Sequence, residues 1–248
     1  MIFEEARRFG KSLIGWLYLF VPLTVFFFAF TLKPITVLGQ TLLLPYPSMD
    51  SVAAQAVKAM QQNLLGDGAR LIVTSPLDAF SALALMAFLL AFVVSLPVLL
   101  YKLINYLSPA LYDDEKWGIF LVLAPSLILF TLGGLFAYYL IIPSAMGFLY
   151  DYALAFGAEP LITISKFIGF VLGTAIFTGI LFLTPVFMAL LTRTGLIKKS
   201  FWKANWRYAA IFFVILSAIA TPDGTGITMT FLAGPLISLY YIGYKVSG

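Results

Sequence analysis

Three acidic side chains stand side by side in the segment 108–117: Asp113, Asp114 and Glu115. Charged residues make up only 10% of the chain, so such a cluster stands out. Adjacent carboxylates repel one another and hold water, and we therefore expect this acidic turn to face an aqueous compartment. A cationic ligand would relieve the repulsion. A solvated turn that merely joins two helices explains the same residues equally well at this point.

The composition predicts a membrane protein. Hydrophobic residues make up 62% of the 248 residues, and the mean hydropathy is +1.01. Soluble domains contain about 45–50% apolar residues, so we predict an all-α integral membrane protein with a single membrane domain, 1–248. The sequence has no cysteine and no histidine, which excludes thiol chemistry and removes the most common metal ligand. Since we find no phosphate loop and no nucleophile–base pair, we predict no enzymatic activity, no metal and no cofactor.

Six apolar segments predict six transmembrane helices. They cover about 12–32, 79–100, 117–142, 167–191, 208–220 and 226–244. The fifth segment gives about 20 Å of helix, roughly 10 Å less than the hydrocarbon core of a bilayer. We expect the fifth and sixth spans to be short, and we expect residues 1–11 to form a polar tail rather than a cleavable signal peptide.

The basic residues predict the orientation of the spans. An even number of spans puts both termini on one side, and eleven of the fifteen lysines and arginines fall on that side. The positive-inside rule then places both termini, the acidic turn and the basic segment 192–207 in the cytoplasm, with the protein in the cell membrane. Trp202 and Trp206 lie among the lysines of that segment, so we interpret it as an anchor on anionic membrane lipids rather than a nucleic-acid site.

Small residues and one amphipathic segment predict how the helices pack. Gly133-Gly134 and the pair Gly169 and Gly173 would allow neighbouring helices to approach closely. Residues 52–65 form an amphipathic helix that either lies on the outer membrane surface or, as we prefer, packs against the spans. Thr174 and Thr178 stand four residues apart in the fourth span, and their hydroxyls could form hydrogen bonds with their own helix or with a neighbouring one.

The acidic turn and its flanks also carry a recognisable pattern. The segment Tyr106-Leu-Ser-Pro109-Ala-Leu-Tyr112-Asp-Asp-Glu115-Lys116 is similar to a Phe-x-x-Pro-x-Leu-Tyr-x-x-Glu-Arg/Lys block. Further segments of the pattern lie before and after this one, in this order along the chain: Ser75-Pro76, Pro97-Val-Leu-Leu-Tyr101, Phe136-Ala-Tyr138-Tyr-Leu-Ile-Ile-Pro143, Pro185-Val, Ala220-Thr221-Pro222-Asp223 and Gly234-Pro235-Leu. This ordered set resembles the TatC family, the membrane receptor of the twin-arginine protein translocase.

The resemblance implies a fold and a task. Family members are glove-shaped helical bundles that bind signal peptides carrying two consecutive arginines and assemble with single-span partners of the TatA/TatB type. The family's two acidic sites fall on Glu115 and on Glu5, which precedes Ala6-Arg7. A guanidinium group binds a carboxylate through two parallel hydrogen bonds, which lysine cannot reproduce. We therefore expect twin-arginine recognition by carboxylates, and we expect a homo-oligomer within the complex.

The resemblance also assigns roles to individual residues. The residues expected to bind the signal peptide are Glu5, Arg7, Tyr106, Asp113, Asp114, Glu115 and Lys116. The residues expected to shape the bundle or contact partner proteins are Pro97, Pro109, Tyr112, Thr184, Pro185, Pro222, Asp223 and Pro235.

The chain departs from the family pattern in the later spans. The family's polar residue in the fourth span falls on Leu183, and Thr184 is its nearest polar substitute. Met229 and Tyr241 stand where the family has a Gln and a Glu. These departures indicate a divergent member, and an archaeal one is our interpretation.

Two other classes of protein are alternatives. A small secondary transporter or channel would normally carry ionisable groups near the bilayer midplane. The predicted spans contain none, and no inverted repeat is visible. A purely structural membrane scaffold is the second alternative.

Overall fold

The computed structural model describes residues 2–37, 40–65, 70–107, 116–159, 161–221 and 226–247. Side chains are described in these ranges except at 2–9, 11, 12, 33–44 and 103–121. The elements are α1 (Ile2–Ala29), β1 (Phe30–Val37), β2 (Gln40–Pro47), α2 (Val52–Leu64), β3 (Arg70–Ile72), α3 (Pro76–Leu107), α4 (Lys116–Phe136), a π-helical turn (Ala137–Ile141), α5 (Ile142–Ala155), β4 (Leu161–Thr163), α6 (Ile164–Phe182), α7 (Thr184–Arg193), α8 (Lys199–Ala204), α9 (Trp206–Ala220) and α10 (Ile227–Val246).

The apolar helices follow the six predicted spans in order. Within the described residues, four stretches are long and apolar enough to cross a membrane, at 76–102, 122–155, 164–193 and 227–246, and two apolar helices at 13–29 and 206–220 are shorter. The fifth span, α9, has 15 residues, or about 22 Å, so its predicted shortness is confirmed. The sixth, α10, has 20 residues and reaches about 30 Å, so our expectation of a short sixth span was wrong.

The third span continues beyond its predicted end. We expected Pro143 to end it, but α5 runs on through Ala155. A π-helical turn lies directly before the proline, and the N–H of Ile142 donates to the carbonyl of Ala137, five residues back. This wider turn shifts the hydrogen-bond register where proline would otherwise clash with the preceding turn. The helix therefore passes through Pro143 instead of stopping at it.

The chain divides into two compact units, Met1–Leu99 with Glu159–Leu172, and Leu100–Ala158 with Gly173–Gly248. The first unit contains two small sheets that the sequence did not predict. β1 and β2 pair as an antiparallel hairpin, with Phe30 opposite Pro47 and Val37 opposite Gln40. β3 and β4 pair in parallel, with Arg70 opposite Leu161. The predicted first span therefore ends at Ala29, because the next residues belong to the hairpin.

The amphipathic helix α2 packs within the first unit. Ser51 caps it, since its hydroxyl accepts a hydrogen bond from the N–H of Ala54. Ala53, Val57 and Leu64 are buried, and the helix contacts α1 and β1. This agrees with packing against neighbouring elements, the interpretation we preferred from the sequence.

Helix α3 begins with a capping box. Ser75 precedes Pro76, the first helical residue, and the Asp78 carboxylate accepts hydrogen bonds from the N–H of Ser75 (2.8 Å) and the N–H of Thr74 (3.0 Å). The hydroxyls of Thr74 (2.5 Å) and Ser165 (3.3 Å) also donate to it. Ser165 lies in the first turns of α6, so one carboxylate caps α3 and joins it to a second helix.

Replacing Asp78 with alanine should lower the melting temperature of the detergent-solubilised protein by several degrees. The change leaves two backbone N–H groups and two hydroxyls without their shared acceptor. Asp50→Ala is the matched control: it also removes an aspartate, but one in an exposed ion pair with Lys58 (2.8 Å), and such pairs contribute little. Equal melting temperatures for the two variants would contradict the capping role.

Two helices of the second unit approach each other through a reciprocal glycine–phenylalanine pair. An added Cβ at Gly133 in α4 would lie 2.8 Å from the Phe182 ring and 2.9 Å from the Gly179 backbone. A Cβ at Gly179 in α6 would lie 2.8 Å from the Phe130 ring. Each ring thus occupies the space above the partner helix's glycine.

The glycine pair that we expected in the fourth span does not serve this purpose. An added Cβ at Gly169 would be 4.0 Å from a Leu85 methyl, an ordinary contact, and one at Gly173 would meet no described atom within 4 Å. The buried Thr178 hydroxyl also finds no hydrogen-bond partner among the described residues. Of the two pairs of glycines singled out from the sequence, Gly133 makes the close approach, and Gly169 with Gly173 does not.

Candidate functional site

The acidic turn joins the end of α3 to the beginning of α4. α3 ends at Leu107 and α4 begins at Lys116, so the predicted helices flank the turn as expected. Tyr106 lies in the last turn of α3, and Lys116 is the first residue of α4. Asp113, Asp114 and Glu115 lie outside the described residues, as do Pro109 and Tyr112. Negative charge that directly precedes a helix is favoured by the partial positive charge of the helix N-terminus.

The second group of acidic residues lies on α1. We expected residues 1–11 to form a polar tail, but α1 begins at Ile2 and carries Glu5 and Arg7 in its first turns. Ile2, Phe3 and Phe9 add apolar residues before the first span, so the helix of that span can extend back to Ile2. The side chains of Glu5 and Arg7 lie outside those described, so their proximity to the acidic turn stays a prediction.

The fourth span is broken into α6 and α7 at Leu183. Pro185, the second residue of α7, has no N–H and cannot bond to the carbonyl of Leu181, four residues back. The Thr184 hydroxyl donates to that carbonyl instead, at 2.6 Å. Thr184 therefore satisfies its own helix, and its proton is not free for a partner protein. Leu183 itself is buried, with 5% of its surface exposed.

The remaining family positions that are described lie within helices. Pro97 is inside α3, and Pro235 is inside α10, which continues through it. Pro222 and Asp223 lie outside the described residues. Tyr241, which we matched from the sequence to the family's glutamate, is 57% exposed on α10.

Helices α7, α8 and α10 are joined by hydrogen bonds at the basic end of the second unit. The Trp202 indole N–H donates to the Thr192 hydroxyl (2.9 Å), and the Tyr240 hydroxyl donates to the Trp202 carbonyl (2.8 Å). Gly243 of α10 packs on α7, since an added Cβ there would lie 2.9 Å from the Cα of Pro185. The sequence singled out Trp202 as a membrane anchor, but its role as a bridge between three helices was not predicted.

An apolar core also holds helices of the second unit together. It consists of buried residues from the π-helical turn, α6, α7, α9 and α10: Ile141, Phe182, Met188, Phe213, Leu232, Leu236 and Tyr240. Because α9 is too short to cross a bilayer alone, its contacts with α10 and this core provide the burial that a short span needs.

The fold and the arrangement of the helices define a multi-span membrane protein. Two solved structures, both of a twin-arginine translocase receptor TatC, match it with TM-scores of 0.74 and 0.76 at 26% and 25% identity. The matches cover 98% of this chain and 97% and 99% of those chains. These values identify the class: the helical component of a protein translocase.

Sequence comparisons identify the family. The family model for the Sec-independent protein translocase protein TatC matches residues 3–235. A TatC of Cenarchaeum symbiosum is 37% identical over 221 residues, which cover 89% of this chain and 84% of that protein. A TatC of Aquifex aeolicus is 32% identical over 173 residues, 69% and 71% of the two chains. The chain belongs to the TatC family, and it is a transport component rather than an enzyme, as the sequence predicted.

Proposed function

We propose that this chain is the receptor and scaffold subunit of a twin-arginine translocation system, which recognises signal peptides with paired arginines and exports folded proteins. The observation that carries the proposal is the match along nearly the whole chain to structures named as twin-arginine translocase receptors. Membership of the Sec-independent translocase family supports it independently. A small secondary transporter or channel gains no support from either comparison.

The proposed signal-peptide site consists of two carboxylate groups. Glu115 would bind one arginine and Glu5 the other, because a carboxylate and a guanidinium form a bidentate, charge-assisted pair. Asp113 and Asp114 increase the negative charge around Glu115. Lys116 directly follows Glu115, Arg7 lies two residues after Glu5, and Tyr106 begins the segment that contains Glu115; these three residues complete the proposed site.

The proposed partners and location follow from the family. Single-span proteins of the TatA/TatB type would dock on the spans near Pro97, Thr184, Pro185 and Pro235, together with copies of this chain. The family's polar group in the fourth span is absent, and Thr184 donates to Leu181, so docking there would rely on packing. We propose a cell-membrane protein with one membrane domain and both termini in the cytoplasm, in keeping with the distribution of its basic residues.

Site-specific photocrosslinking tests the proposal. A photoreactive residue introduced singly at positions 113–116 should crosslink to a twin-arginine peptide in membranes, and a twin-lysine peptide should crosslink much less, because lysine cannot form the bidentate pair. A probe at the exposed Glu159, after α5, is the matched control and should stay unlabelled. Equal labelling by the two peptides would contradict recognition of paired guanidinium groups.

A further inference from the structure

A cavity of about 790 Å³ opens between α8, α9 and α10. We call it the aromatic cavity, since its walls include six aromatic side chains: Trp202, Trp206, Phe213, Tyr240, Tyr241 and Tyr244. Its volume falls in the range of about 300–1,000 Å³ typical of small-molecule sites. The hydrogen bonds from Tyr240 to Trp202 and from Trp202 to Thr192 hold its inner wall, so the cavity is formed before any ligand enters.

Cations surround the aromatic cavity. Lys203 is part of its lining. Three further cations lie over rings that line it: Lys245 Nζ is 4.8 Å from the Tyr241 centroid, Lys199 Nζ is 5.5 Å from that of Tyr244, and Arg207 Cζ is 5.7 Å from that of Trp206. These ring contacts hold the three cations beside the cavity walls.

The described residues provide no ion-pair partner for these cations. No acidic residue occurs in the described ranges 161–221 and 226–247. No carboxylate of a described residue forms an ion pair with any of the four cations. Lys203 and the three cations beside the walls therefore carry positive charge that no described carboxylate pairs with.

The combination of aromatic walls with cations in and beside them selects an amphiphile with a negative head group. A soluble anion would leave the aromatic walls unused, and a neutral apolar ligand would leave the cations uncompensated. Besides α8, the walls belong to α9 and α10, the fifth and sixth spans, so a lipid of the bilayer could reach them. We propose that the aromatic cavity binds one anionic phospholipid, with an acyl chain against the rings and the phosphate at Lys203. This goes beyond a diffuse attraction of basic residues to the leaflet, because it assigns a defined site.

Native mass spectrometry of the purified full-length protein tests this site. We expect one bound phosphatidylglycerol and much lower occupancy by phosphatidylcholine with the same acyl chains. Lys203→Gln should weaken binding about fivefold, the effect of one lysine near an anionic head group. Lys198→Gln is the matched control: it removes the same charge from the same basic segment, but Lys198 does not line the aromatic cavity, and we expect no change.

A second variant separates the acyl chain from the charge. Ala210 lines the aromatic cavity, so Ala210→Trp should fill it and abolish binding while every cation remains. Inorganic phosphate should not displace the lipid, because it lacks the apolar part. The proposal is overturned if phosphatidylcholine binds equally, if Lys198→Gln and Lys203→Gln weaken binding alike, if phosphate displaces the lipid, or if a folded Ala210→Trp variant still binds it.

Discussion

Export of a twin-arginine substrate should fall by about 10- to 100-fold when Glu115 is replaced with glutamine, and similarly when Glu5 is replaced. Glutamine keeps the size of the side chain but removes its charge, so each variant loses one charge-assisted pair worth roughly 1.5–3 kcal/mol. Asp113→Asn and Asp114→Asn should have smaller effects, because these residues act through the summed charge. Pulse–chase export of a twin-arginine reporter measures the outcome.

The control for this prediction is Glu159→Gln. It removes one negative charge from an exposed position after α5 and should leave export unchanged. Immunoblots of washed membranes must give equal amounts of every variant, so that a folding defect is not mistaken for lost recognition. Normal export by both Glu115→Gln and Glu5→Gln would show that these carboxylates do not bind the signal peptide.

A single methyl group at Gly133 should destabilise the protein strongly. In Gly133→Ala the new Cβ would lie 2.8–2.9 Å from Phe182 and from the Gly179 backbone, and the backbone of α6 cannot move aside as a flexible side chain can. We expect a loss of about 1–3 kcal/mol, the usual cost of overpacking. Thermal unfolding in detergent measures it as a lower melting temperature.

The neighbouring glycine provides a matched control. An added Cβ at Gly134 would meet no described atom within 4 Å, so Gly134→Ala should be neutral or slightly stabilising, because alanine favours the helix. Reducing the opposing ring should partly rescue the damage: Gly133→Ala with Phe182→Leu should be more stable than the sum of the two single changes. Equal melting temperatures for Gly133→Ala and Gly134→Ala would refute the close approach.

The membrane helices could be predicted because the hydropathy and length of each span are properties of one continuous stretch of sequence. Runs of apolar residues located all six. The capping box of α3 could have been found as well, since Ser75-Pro76-Leu77-Asp78 has the required spacing. The acidic turn was recognised by its pattern of residues, and helix ends flank it at Leu107 and Lys116.

Features that depend on contacts between distant segments could not be predicted. The sequence offers Gly133-Gly134 and Gly169 with Gly173 as equal candidates for close packing, and only the position of Phe182 decides for Gly133. Pro143 predicts a helix end when only its own sequence neighbourhood is considered, but the π-helical turn before it allows the helix to continue. The aromatic cavity gathers side chains from three helices, so no single stretch of sequence reveals it.

The hairpin of β1 and β2 contains three prolines whose positions have a consequence for self-association. In its register Pro34 faces Leu43, Pro45 faces Leu32, and Pro47 faces Phe30. Pairs in an antiparallel ladder alternate between hydrogen-bonded and non-hydrogen-bonded, and all three prolines fall in the same one of these two classes. Proline has no N–H to donate, and this class must be the one whose N–H groups point away from the partner strand. One border of the ribbon thus lacks the outward donor at Pro34, and the other lacks those at Pro45 and Pro47. Each missing donor makes pairing between the ribbons of two copies of this chain less favourable.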